Sequence, residues 1–165
     1  MADIVDTNNI ANTINKTSRA DKINTINTTN TTNTTVLAYL GDAVYELKIR
    51  EMLIDREESL RANNLHRKAT RYVSARGQAT AVKNLMKDFL SDEELSLVKR
   101  ARNHKTSSHP RGADPVEYKL ATGFEALIGE LYLKGEMDRI DEIVKIAVNI
   151  IDGAVSYTHL TLPTS

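Results

Sequence analysis

Val36–Glu46, VLAYLGDAVYE, constrains the fold more than any other stretch, because it sets a glycine and an acid inside an apolar helix. With a helical period, Leu37, Leu40, Val44 and Leu47 fall on one stripe, three or four residues apart. Gly41 costs such a helix about 1 kcal/mol relative to Ala. That cost is tolerated where another backbone or a ligand comes close. Two readings follow. Gly41 admits a neighbouring helix and leaves Asp42 exposed, or the acid beside the missing side chain belongs to a metal or proton-transfer site.

From Val36 onward the texture is helical throughout, which predicts an all-α domain. The spacing predicts a first helix over Val36–Ile54 and a second over Leu65–Phe89, capped by Asn63 or Asn64, with Leu65, Ala69, Tyr72, Val73 and Ala79 at helical intervals. Ser91 with Glu94 three residues on is a capping box, opening a third helix that reaches about Arg102. Asn103–Asp114 reads as a loop. Pro115 suits the first turn of the next helix, which Gly135 ends near Lys134. Met137–Ile151 forms the last amphipathic helix, with Ile140, Ile143, Val144 and Ala147 inward.

Both ends have a different texture. Residues 1–35 hold eight Asn and ten Thr, whose side chains compete for backbone hydrogen bonds, so this segment is expected to be a disordered tail. Residues 153–165 abandon the helical pattern. Their VSYTHLTLPT resembles the translation of a sequencing-adapter read-through, and the segment is set aside as a non-native tail. The domain expected to carry the function is therefore residues 36–152.

Cysteine is absent, which removes disulfides and thiolate metal sites and fits a reducing compartment. No apolar run reaches the length of a membrane span, and the N-terminus lacks the apolar core of a signal peptide. The expected location is cytoplasmic, with no membrane partner.

Lys and Arg number 22 and Asp and Glu 22, so overall charge says nothing about partners. Its distribution does. Arg61–Arg76 carries Arg61, Arg67, Lys68, Arg71 and Arg76 with His66, and no acid. Lys99–Arg111 carries Lys99, Arg100, Arg102, Lys105 and Arg111 with Asn103, His104 and His109, again without an acid. Such clusters occur on ordinary solvated helix faces. Two in a neutral chain favour a phosphate backbone. No aromatic residues are interleaved for stacking, which favours a duplex read by shape over a single strand. His104 and His109 flank a loop and are expected to meet RNA or solvent, not zinc.

A second acid lies in Ala121–Tyr132, ATGFEALIGELY. Phe124, Leu127, Ile128 and Leu131 make its inward stripe, and Glu125 sits near Gly123 and Gly129. Asp42 and Glu125 together would give two oxygen ligands from adjacent helices to Mg²⁺, which keeps several waters and needs few carboxylates. Such an ion activates a water and stabilises charge developing on a phosphodiester. Glu46 is expected to pair with Arg50, four residues on.

LAYLGDAVYE and FEALIGELYL together resemble the two signature segments of the ribonuclease III catalytic domain, in particular the short Mini-ribonuclease III form that lacks a double-stranded-RNA-binding domain. Asn64–Ala69, Val73–Ala75 and Lys99–Asn103 resemble that family's intervening segments. The resemblance implies a homodimeric, Mg²⁺-dependent endonuclease of double-stranded RNA, with Mn²⁺ as a substitute. It also implies maturation of 23S ribosomal RNA precursor ends. Asp42 and Glu125 match the catalytic, metal-binding acids. With no appended binding domain, His66, Arg67, Lys68, Arg71, Arg76, Arg100, Arg102, Asn103, Lys105 and Arg111 are left to grip the RNA. The larger family members have two further acids where this chain has Ala38 and Thr122. That departure raises the alternative of a catalytically weak double-stranded-RNA-binding protein in ribosome assembly.

Overall fold

Six helices and no strand occur among the described residues of the computed structural model, which are 21, 33–58, 61–105 and 110–160. In chain order they are α1 (Asn33–Arg56), α2 (Ala62–Val73), α3 (Ala75–Asp88), α4 (Asp92–Asn103), α5 (Pro115–Lys134) and α6 (Met137–Leu160). The all-α expectation holds. The expected tail lies outside the described residues apart from Asp21 and from residues 33–35, which already belong to α1. His109 and residues 161–165 lie outside them as well.

α5 is the central helix. Leu120, Ala121, Phe124, Ala126, Leu127, Ile128 and Leu131 are all buried, and α3, α4 and α6 pack around it. Its start follows the sequence closely. Pro115 stands in the first turn, and the Asp114 carboxylate accepts from Val116 N at 2.8 Å and Glu117 N at 3.0 Å. Its end does too: Gly135 takes a left-handed φ of 75° that other residues adopt only at a cost.

α1 meets α5 through glycine. A Cβ on Gly41 would lie 2.8 Å from Gly129 N and closer still to the Glu125 carbonyl oxygen. A Cβ on Gly129 would strike the Leu37 carbonyl. The two backbones touch, so neither position has room for a side chain. Tyr45, one turn beyond Gly41, then stands edge-on to Phe124 with ring centroids 4.9 Å apart.

Three local expectations need correction. Leu47 is 56 % exposed instead of facing inward, because the Gly41 contact turns α1 so that Leu37, Ala38, Val44, Tyr45, Ile49 and Leu53 meet the core. The single second helix is two, broken at Ser74. Its extended backbone ends α2, and its hydroxyl accepts from Gly77 N at 3.2 Å to cap α3. Neither Asn63 nor Asn64 caps α2, which starts after Arg61 without a side-chain cap. Beyond these, α6 continues past Ile151 to Leu160.

The capping box at Ser91 is present with both hydrogen bonds. Arg139 of α6 adds to it, donating to both Glu94 oxygens at 2.9 and 2.8 Å and to the Phe89 carbonyl at 3.2 Å. This pairing holds the Glu94 carboxyl below its ordinary value and ties α6 to the turn between α3 and α4.

Candidate active site

Asp42 follows the glycine that lets α1 touch α5, and Glu125 lies one turn before the glycine it touches. The helix crossing therefore brings both acids to one open cleft of about 220 Å³, also lined by Ala38, His104, Tyr118 and Thr122. Asp42 is exposed and Glu125 half-buried.

Their electrostatics reflect this. Burial pushes the Glu125 carboxyl up to about 8, the Asp42 charge adds to the rise, and the Gln78 side chain works against it. Asp42 is raised as well, first by its own partial burial and then by Glu46. Two carboxylates that resist ionising together are relieved by a cation between them. The donor set consists of hard oxygens, with no group of three or more His, Cys, Asp or Glu gathered for a metal among the described residues. That suits Mg²⁺, which fills its remaining positions with water, better than zinc. Asp42 and Glu125 are the residues that would hold it.

Ala38 and Thr122 stand in the same cleft and bring no carboxylate. Ala38 is buried, and the Thr122 hydroxyl donates to the Tyr118 carbonyl at 3.0 Å. Glu46 pairs with Arg50 at 2.6 Å, as its spacing predicts.

The basic residues divide into two groups. His66, Arg67, Lys68 and Arg71 are exposed on α2 and Arg76 on α3; Arg67, Arg71 and Arg76 line one groove with Ser74. Lys68 is already paired with Glu57, and Arg71 with Asp152, while the Arg71 guanidinium stacks 4.9 Å above the Tyr72 ring. Arg100 and Asn103 are exposed on α4, and Lys105 and Arg111 are exposed beyond it. Arg102 is half-buried and donates to Asn103 Oδ1 at 3.3 Å.

Two residues near the acids were not marked by the sequence as partners of them. His104 directly follows the basic run of α4, and its position there was the available signal. Gln78 is buried in α3, donates to the Val73 carbonyl at 3.0 Å, and leaves Oε1 without a partner among the described residues. Nothing in a lone helical Gln announces this.

Comparison with known proteins agrees with this geometry. A model of the family described as "Ribonuclease III domain" matches residues 35–136. The chain is 47% identical to a Mini-ribonuclease 3 of Symbiobacterium thermophilum over 116 residues, 70% of this chain and 88% of the relative. It is 49% identical to a Mini-ribonuclease 3 of Brevibacillus brevis over 118 residues, 72% of this chain and 87% of the relative. A crystal structure of a Fusobacterium nucleatum protein superposes with a TM-score of 0.62 at 34% identity, covering 70% of this chain and 91% of the other. The helical core, the two acids at its central crossing and these relatives lead to one conclusion: the chain belongs to the ribonuclease III domain family, among the endoribonucleases of the Mini-ribonuclease 3 type.

Proposed function

We propose that this chain is a Mg²⁺-dependent endoribonuclease specific for double-stranded RNA, with Mn²⁺ able to substitute, and that it matures 23S ribosomal RNA precursor ends in the cytoplasm. The observation that carries this reading is the pairing of Asp42 and Glu125 in one cleft. A Mg²⁺ ion held there would supply Lewis-acid stabilisation of the charge developing on the phosphodiester. Asp42 and Glu125 would hold it. Water attacks phosphorus, the bond to the 3′-oxygen breaks, and a 5′-phosphate and a 3′-hydroxyl result.

Cutting both strands calls for two such clefts, hence a homodimer. On the side of α1 away from Gly41, Val36, Tyr39, Leu47 and Ile54 form an apolar stripe that is 51, 84, 56 and 53 % exposed. A stripe of this kind supports pairing with a second copy. His66, Arg67, Lys68, Arg71, Arg76, Arg100, Arg102, Asn103, Lys105 and Arg111 are the proposed RNA contacts. Those without a protein carboxylate partner are expected to contribute most.

The test is incubation with long duplex RNA and Mg²⁺, beside single-stranded RNA and an EDTA control. Metal-dependent cutting of the duplex alone supports the enzyme. Ala38 and Thr122, which line the cleft without supplying a carboxylate, favour the second reading of a duplex-holding protein with weak catalysis. Gel retardation without cleavage under Mg²⁺ or Mn²⁺ would select it.

A further inference from the structure

The cleft that holds Asp42 and Glu125 presents a difficulty for a polyanion. Its two acids repel phosphate, and its neutral donors are the hydroxyls of Thr34, Thr35, Tyr39, Tyr118 and Thr122, the last of which is already donated to a backbone carbonyl. Among the described residues lining the cleft, His104 alone has a nitrogen-bearing side chain.

His104 is well fixed. It ends α4 with an extended backbone (φ −60°, ψ 130°), and its own N–H donates to the Ala101 carbonyl at 3.2 Å. The preceding turn is anchored by Val98 and Ala101, both buried. Its Nδ1 is shut off from solvent and has no partner among the described residues. A buried N–H without an acceptor costs about 1–3 kcal/mol, which disfavours a proton on Nδ1 and favours one on Nε2. The nitrogen left to meet a ligand is therefore a donor.

We propose that His104 is a substrate-contacting residue that donates from Nε2 to a phosphate oxygen of the RNA strand lying in the Asp42–Glu125 cleft. The proposal rests on the duplex-RNA reading given above and adds to it a ring N–H donor for the phosphate beside the two acids. His104 thereby links the basic run of α4 to the cutting site. Its contact is with the strand being cut, whereas the exposed lysines and arginines grip the backbone elsewhere.

The test uses the full chain and compares wild type with His104→Ala, His104→Gln and His104→Asn. A Gln amide can place an N–H near the position of Nε2, and an Asn amide only near that of Nδ1. Duplex cleavage with Mg²⁺ gives kcat and KM. Anisotropy with the same RNA in EDTA gives Kd without cutting. The Ala and Asn variants are expected to raise KM and Kd about tenfold, the scale of a hydrogen bond to a charged group. Their kcat should stay within about twofold, and the Gln variant should recover most of the loss.

Wild-type KM and Kd in His104→Ala would overturn the proposal, as would a Gln variant no better than Asn. A role confined to ending α4 would lower the unfolding midpoint in all three without ranking Gln above Asn, and that too would overturn it. Should the wild type fail to cut duplex RNA, the enzymatic reading falls, while the EDTA binding series still decides the His104 contact.

Discussion

Gly41 and Gly129 face each other where α1 crosses α5: a Cβ on Gly41 would lie 2.8 Å from Gly129 N, and one on Gly129 would lie 3.2 Å from Gly41 N. This contact sets the separation of the two helices and, with it, the relation of Asp42 to Glu125. A structural glycine pair and a chemical acid pair are thus one device. Of the two readings of Gly41 that the sequence left open, the helix contact is present, and Asp42 stands exposed at a cleft that Glu125 also lines.

Gly41→Ala is accordingly expected to damage folding and cleavage at once. Its methyl would meet the Glu125 carbonyl, a backbone atom that cannot rotate away. Overpacking of this kind costs about 1–3 kcal/mol. Urea unfolding with and without the substitution measures the first effect, and duplex cleavage the second. A variant as stable and as active as wild type would contradict the close crossing.

Glu125 gives the metal-free protein a pH-dependent stability of definite sign. Its carboxyl stands at about 8 in the folded state, against an ordinary 4.5. Between those values the folded state keeps a proton that the unfolded chain has lost. The contribution is therefore fully present below about pH 4.5 and is lost as pH rises through about 8, at a slope of up to about 1.4 kcal/mol per unit. In EDTA, wild type should be less stable near pH 8 than near pH 5, and Glu125→Gln should remove most of that difference. Equal slopes in the two proteins would refute the assignment.

Salt dependence distinguishes cations already paired with a carboxylate from those without such a partner among the described residues. Lys105→Ala should weaken duplex binding and flatten the plot of log Kd against log salt by about 0.9, the effect of one phosphate contact. Lys68→Ala should change the slope less, since its ammonium is already paired with Glu57. An unchanged slope for Lys105→Ala would remove the α4–α5 loop from the RNA surface.

The exposed stripe on α1 predicts the assembly state. Leu47→Asp places a charge on that stripe at a residue that, unlike Tyr39, does not line the cleft, and should convert a dimer to a monomer in sedimentation. A wild-type chain that sediments as a monomer at micromolar concentration would contradict the role given to the stripe.

The sequence made both acids legible, because each is flanked by glycine within an otherwise apolar helix. Two helix ends were legible too, since the Ser91 capping box and the Gly135 stop act through neighbours within four residues. The cap expected at Asn63 or Asn64 is not formed, and the one at Asp114 was read only as the end of a loop. Features set by distant packing were not. Leu47 matched the α1 stripe by spacing, yet the facing of α1 is decided by Gly129, far along the chain. Ser74 broke the second helix because a single hydroxyl capped α3, a local event hidden inside a long periodic run. Lys68 and Arg71 looked free because their carboxylate partners, Glu57 and Asp152, lie outside the basic cluster. His104 and Gln78 joined the site only through tertiary packing.

The most direct test of the account is duplex RNA cleavage by wild type and Asp42→Asn, each with Mg²⁺ and with EDTA. The account predicts cutting by wild type with Mg²⁺ alone, and a loss of about a hundredfold or more in Asp42→Asn with folding and RNA binding kept. An Asp42→Asn protein that cuts at the wild-type rate would contradict the paired-carboxylate site.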